Sequence, residues 1–347
     1  MPQKSMRFRA LLTALCLSVS LGIASTHAFA TAQDKDKSQK EKKKDDDKAT
    51  KDGAASSRDT RPVLWSEPTD ITSRDLFYGP GGRQGAPDPA GKFKFVRRST
   101  SGTSEKIIVD DDKGRGWTVK FGPEARPETS ATRILWAVGY HVDQDYFVKR
   151  THIEGRGGFD VWDVRFEARD DGFKEVGLWQ WAVNPFTGTR ELQGLKVLMA
   201  LLNNWDLKDM NNKIVQPNKE SGGDRNLRVY YVADLGATLG STGSFFSKLP
   251  FFSDAPAGSK GVPDSYANQV FIDSVSGGKV HFHYEGKNGS VIEGISVEHA
   301  RWMGELLGRL SDKQLSDAFR AGGFTENEVG TYATAMRRRI DQLKALK

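Results

Sequence analysis

The residues able to do chemistry are concentrated where one apolar stretch ends. Leu201-Leu202-Asn203-Asn204-Trp205-Asp206-Leu207-Lys208-Asp209-Met210-Asn211-Asn212 runs from an apolar helix into carboxylates, amides and an ammonium. A second acidic motif, Asp234-Leu235-Gly236, follows a short strand pair. Carboxylate and amide oxygens suit a hard divalent cation, and an ammonium suits phosphate-type oxygens. Upstream, Lys120 lies in the strand-like run Trp117-Thr118-Val119-Lys120, and Glu128 lies in the first turn of the next helical stretch. A lysine held by a carboxylate can stay charged in a partly desolvated cleft.

The order of apolar helix, Asp-x-Lys-x-x-Asn, hairpin and Asp-Leu-Gly resembles the catalytic core of the protein-kinase-like fold. The resemblance covers Lys92 to Gly236, with a helical remainder after it. It implies an α+β, bilobal architecture, with a β-rich N-lobe and a mainly helical C-lobe. It also implies Mg²⁺ and ATP. Asp206 would orient the acceptor hydroxyl and Lys208 would touch the transferred phosphoryl group. Asn211 and Asp234 would be Mg²⁺ ligands. Lys120 would hold phosphates, paired with Glu128 or, as second choice, Glu124. The turn Ser99–Ser104, with Ser101, Gly102 and Thr103 at its tip, would cover the phosphates through N–H groups and hydroxyls. Asn204-Trp205 replace the His-Arg of typical protein kinases, the turn has a single glycine, and no Ala-Pro-Glu follows Asp234. These departures point to the atypical group with an Asn-x-Asp loop, such as persistence-toxin kinases, spore-coat kinases and secretory-pathway casein kinases. The missing arginine before Asp206 argues against control by activation-loop phosphorylation.

Several elements must position these residues. Alternation and turns predict strands around Phe93 and Phe95, at Lys106–Val109 and at Trp117–Phe121, which make a meander. Pro127 opens a helix that Gly139 ends. Strands follow at Tyr146–Thr151, Val161–Ala168 and Val176–Trp181, then a break at Pro185–Gly188. A helix over Arg190–Asn203 leads to the strands Lys213–Val215 and Leu227–Val232. Residues 237–268 read as a long irregular loop. Ser311 with Gln314 and Thr325 with Glu328 spell two capping boxes, and Tyr332, Met336, Ile340 and Leu343 form the buried stripe of the last helix. Arg337-Arg338-Arg339 reads as its solvated face. His281 and His283 share one face of a strand, as metal ligands could, but with no acidic or His partner nearby in sequence they read as residues of an edge strand. Asp110-Asp111-Asp112 reads as a turn. Trp179 and Trp181 read as core, with one of them a candidate for the adenine pocket.

The chain has 347 residues, with Lys+Arg 51 against Asp+Glu 45, a net charge of +6. Residues 1–30 read as a signal peptide: Lys4, Arg7 and Arg9, an apolar run, then Ala28-Phe29-Ala30. Residues 31–60, with nine basic and eight acidic side chains, read as a disordered charged tether. Residues 61–91 read as an extended lead-in, 92–185 as the N-lobe and 186–347 as the C-lobe. The folded part carries only +2, which gives no footprint for nucleic acid. Cys16, the sole cysteine, lies in the signal, so the processed chain has no disulfide or cysteine nucleophile. No stable membrane span is expected after signal cleavage. The partners expected are a nucleotide and a hydroxyl-bearing acceptor, protein Ser/Thr or saccharide. The place is outside the cytoplasm, periplasmic or secreted. Two other readings share the fold: a catalytically silent binding module, motivated by the scarcity of ATP in an exported setting, and an AMP transferase.

Overall fold

The computed structural model describes residues 60–99, 104–169, 172–243 and 258–347. The expectations for residues 1–30 and, apart from Thr60, for 31–60 lie outside the described residues. The segment 61–91 is more than an extended lead-in. Strand β1 (Arg61–Val63) pairs in parallel with a later strand, and a short helix α1 spans Gly82–Gly85. Leu64, Ile71 and Leu76 are buried in the main core. The Gln314 side chain donates to Ile71 O at 2.8 Å and Arg74 O at 3.0 Å, which straps the segment to the helical region. Its Gly and Pro residues obscure these apolar anchors in the sequence.

The expected meander forms from β2 (Phe93–Ser99), β3 (Lys106–Asp111) and β4 (Gly116–Lys120). Strands β5 (Asp145–Glu154) and β6 (Phe159–Ala168) close it into a barrel in the order β2-β3-β4-β6-β5. Phe93, Val109, Trp117, Val119, Val164 and Phe166 fill the barrel. Register decides what faces the other way. Val119 lies opposite Phe166, so the next pair, Lys120 opposite Arg165, points out of the barrel by the period of two. Helix α2 (Ala125–Ala137) covers that outer face, with Pro127 in its first turn. The helix ends at Gly139 with φ +99°, where a Cβ would collide with Ser66 O. Only glycine fits that turn.

Strand β7 (Phe173–Leu178) leaves the barrel. It joins β8 (Asn212–Pro217) and β9 (Leu227–Val232) in a sheet of order β1-β9-β8-β7. The strand-rich lobe as a barrel therefore stops at Ala168, ahead of the Pro185 break that marks the boundary in the sequence. Trp179 and Trp181 pack in the main core at a ring separation of 4.8 Å, and Trp179 Nε1 donates to Tyr231 O at 3.1 Å.

Helix α3 (Arg190–Leu201) is capped by Thr189 and buries Leu192, Leu195, Met199 and Leu201. Within the segment read as irregular, α4 spans Pro263–Asn268. Strands β10 (Ile272–Ser276) and β11 (Lys279–Phe282) form a hairpin. Helices α5 (Val297–Gly308), α6 (Asp312–Ala321) and α7 (Glu326–Lys344) complete the chain, and both capping boxes form as spelled. The architecture is α+β and bilobal, a strand barrel followed by a mainly helical lobe. No helix among the described residues is long and apolar enough to cross a membrane.

Leu76→Ala tests whether 61–91 belongs to the folded body. A buried Leu truncated in a packed core costs about 2–5 kcal/mol. Urea denaturation should show a loss in that range, whereas a loose lead-in would leave the midpoint unchanged.

Candidate active site

Asp206 sits on a loop whose neighbours are tied down on both sides. Helix α3 runs out at Leu201, and Asn203 takes up a left-handed backbone, φ 54°. The Asn203 Nδ2 group donates to Gly240 O at 2.6 Å, and Arg339 donates to Asn203 Oδ1 at 2.9 Å and to Leu201 O at 2.8 Å. Arg339 is fully buried, not part of a solvated face. It lies three residues past Met336, on the flank of the same stripe, and that spacing is the signal that could have found it. Asn204 Oδ1 accepts from Asp206 N at 3.1 Å, so the Asn of the Asn-x-Asp loop fixes the backbone that carries the carboxylate. Trp205 N donates to Ala237 O at 3.1 Å and Ala233 N donates to Asn211 O at 2.8 Å. These bonds bring Asp206, Asn211 and Asp234 to one place.

Lys120 is at the centre of the site. Its Nζ is 2.7 Å from Glu124, 2.9 Å from Glu128 and 3.4 Å from Asp234. Both sequence candidates for its partner are therefore engaged. Burial works against the ammonium charge, but the surrounding carboxylates, Glu128 foremost, hold its pKa far above the ordinary lysine range. Glu128 is buried, and its other oxygen meets Arg165 at 3.2 Å. Arg165 continues to Asp145 at 3.2 Å and Glu167 at 2.7 Å, and Asp145 meets Arg133 at 3.1 Å. This chain of buried charges fixes α2 to the barrel. Removing one partner of such a pair leaves an uncompensated charge and costs about 3–5 kcal/mol. Sequence reasoning misses Arg165, Asp145 and Arg133, because only the strand register puts them behind Glu128.

Glu124 has an unexpected set of neighbours. Its carboxylate accepts from Lys120, from Lys260 and from Ser104 Oγ at 3.2 Å. Its side chain lies flat on Gly236, where a Cβ would come within 2.6 Å of it. The glycine of Asp-Leu-Gly is thus required by close approach. Burial opposes the Glu124 charge, but the two ammoniums overcome it and hold the carboxyl down at about 2.

Lys208 Nζ donates to Asp206 Oδ2 at 2.9 Å, while Asp206 Oδ1 is buried with no hydrogen-bond partner among the described residues. Asn211 Nδ2 donates to Asp206 O at 2.8 Å, which leaves Asn211 Oδ1 for another group. Asp234 is nearly half exposed, and oxygens of Glu124, Glu128 and Asp234 lie within 4.8 Å of one another. Asp206 Oδ1, Asn211 Oδ1 and the acidic oxygens that now surround Lys120 are each of the hard-oxygen type a divalent cation takes. Ser101, Gly102 and Thr103 lie outside the described residues. The other candidates are structural. His281 pairs with Ser276 at 2.9 Å and His283 with Asp273 at 3.0 Å. Asp111 closes its turn by accepting from Arg115 N at 2.8 Å.

No family model matches the sequence, and no curated protein matches it. Solved structures do. The proinflammatory kinase CtkA of Helicobacter pylori has a TM-score of 0.39 at 11% identity, over 74% of this chain and 95% of that chain. The golgi casein kinase has a TM-score of 0.35 at 9% identity, over 75% and 71%. The Rio2 kinase of Chaetomium thermophilum, in its ADP/Mg²⁺-phosphoaspartate complex, has a TM-score of 0.30 at 14% identity, over 72% and 72%. Likeness this distant says nothing of activity. The fold is protein-kinase-like. Its marks in this chain are the barrel, the Lys120–Glu128 pair on β4 and α2, the Lys120–Asp234 contact, and the bonds that tie the Asp206 loop to the strand end before Asp234.

The depressed Glu124 carboxyl makes stability depend on acid. Its folded value of about 2 lies below the unfolded 4.5, so its contribution is present above 4.5 and lost as pH falls toward 2. Thermal melts of Glu124→Gln beside the parent should show the largest deficit above pH 5 and a shrinking one below pH 4, pH values taken at about half-unit steps around that window. A deficit independent of pH would contradict the charged contacts.

Proposed function

We propose that the chain is an exported, atypical kinase-like phosphotransferase that uses Mg·ATP on a hydroxyl acceptor, protein Ser/Thr or saccharide. The observation that carries this reading is the unpartnered, buried Asp206 Oδ1 beside Lys208, on a loop fastened to the Asp234 strand end. A buried carboxylate oxygen left unbonded is costly unless something arrives to use it. In the proposed step the acceptor oxygen forms its bond to the γ-phosphorus as the bond from phosphorus to the ADP oxygen breaks. The hydroxyl proton passes to Asp206 Oδ1. Lys208 neutralises charge on the moving phosphoryl group, and Lys120 holds phosphate oxygens on the ADP side. When bound, Mg²⁺ would neutralise phosphate charge, and Asp234 with Asn211 Oδ1 would hold it. Export rests on residues 1–30 alone.

The experiment pairs Asp206→Asn with Asp234→Asn. Radiolabel transfer from ATP, to the protein itself and to a panel of hydroxyl acceptors, should be lost in both variants. Calorimetric titration with Mg·ATP should find affinity mostly kept in Asp206→Asn and reduced by about tenfold or more in Asp234→Asn, as expected for a base and a metal ligand respectively. A parent that binds Mg·ATP without any transfer is a binding module. A parent whose affinity ignores Asp234 has its site elsewhere.

A further inference from the structure

Lys260 carries no motif in the sequence, yet the backbone places it firmly. Ser259 N donates to Ser241 O at 3.1 Å, Gly261 N to Thr238 O at 2.9 Å and Val262 N to Leu239 O at 2.8 Å. Trp205, the neighbour of Asp206, donates from Nε1 to Ser259 O at 3.1 Å, and Lys260 Nζ lies 5.3 Å from its ring centre. The ammonium reaches one oxygen of Glu124 while Lys120 takes the other at 2.7 Å. Two cations thus share one carboxylate, and the Ser104 hydroxyl adds a third donor to it at 3.2 Å.

The three donors come from three different elements. Lys120 ends β4, Ser104 lies just before β3, and Lys260 comes from the segment beyond Asp234. Two ammoniums and a hydroxyl thus converge on one anion, close to Asp234, and such a set of donors also suits the oxygens of a phosphate. A phosphate, with more oxygens and up to two negative charges, satisfies two ammoniums and a hydroxyl better than one carboxylate does. The Glu124 side chain is 14% exposed, so it already borders solvent.

The geometry points to a phosphoryl-oxygen cradle formed by Lys120, Lys260 and Ser104, in which Glu124 holds the place of the phosphate and must be displaced when a polyphosphate binds. Lys260 and Ser104 are then phosphate-binding residues of the proposed transferase, and Glu124 is a built-in competitor. This deepens the nucleotide reading and rests on it for its biological meaning, but the cradle itself can be tested without a nucleotide.

The test is calorimetric titration of sodium pyrophosphate into the full chain without any divalent cation, so that metal binding by Glu124 does not enter. Glu124→Gln should bind pyrophosphate about tenfold tighter than the parent, and Lys260→Met about tenfold weaker, each change being the size of one charge-assisted hydrogen bond. The double variant should fall back to weak binding. A Glu124→Gln protein no tighter than the parent overturns the competitor, and a Lys260→Met protein equal to the parent overturns the cradle. Should Glu124→Gln fail to fold, judged by circular dichroism, Lys260→Met decides alone. Mg·ATP forms a separate arm. Pyrophosphate behaving as expected while Mg·ATP binds neither parent nor Glu124→Gln would keep the cradle and reject the nucleotide reading.

Discussion

The site depends on one buried ammonium. Lys120 is drawn out of water at the end of β4, and three carboxylates from two other parts of the chain close on it. A buried lysine without partners would lose its proton. With them it stays charged and becomes the point at which barrel, helix α2 and the Asp234 strand end are held together. Glu128 passes the constraint on to Arg165, Asp145 and Arg133, so the position of α2 follows from charge pairing as much as from apolar contact.

A second constraint acts from below. Asn203 leaves α3 in a left-handed conformation that L-residues adopt only at a cost, and Arg339 and Gly240 hold it there. The loop that follows is shaped by Asn204 and by backbone bonds to Ala237 and Ala233. The two constraints meet at Asp234, which salt-bridges Lys120 and is fixed through Ala233 to the Asp206 loop. On that loop Asp206 Oδ1 is buried without a hydrogen-bond partner among the described residues, and the proposed chemistry uses that oxygen.

The parts of this arrangement that are local in the chain are legible in the sequence. Asp206, Lys208, Asn211 and Asp234 announce themselves by spacing, and Lys120 and Glu128 by their order along the chain. The strands of the meander, the helix opened by Pro127 and both capping boxes are readable for the same reason, because their causes lie within a few residues. What does not show is set by register and by long loops. Arg165 is opposite Lys120 only once β4 and β6 are paired, and nothing within β6 says so. Lys260 arrives from a Gly- and Ser-rich stretch with no periodicity. The lead-in hides Leu64, Ile71 and Leu76 among glycines and prolines, and Arg339 looks solvated because its neighbours Arg337 and Arg338 are charged too.

In the proposed function Lys120 marks a nucleotide phosphate site. The decisive experiment is the thermal midpoint of the full chain and of Lys120→Met, each with and without saturating Mg·ATP. A ligand at a hundredfold its dissociation constant stabilises by about 2.7 kcal/mol. A clear upward shift is expected in the parent and none in Lys120→Met. An equal shift in both proteins, or no shift in the parent, would mean that Lys120 does not hold a nucleotide.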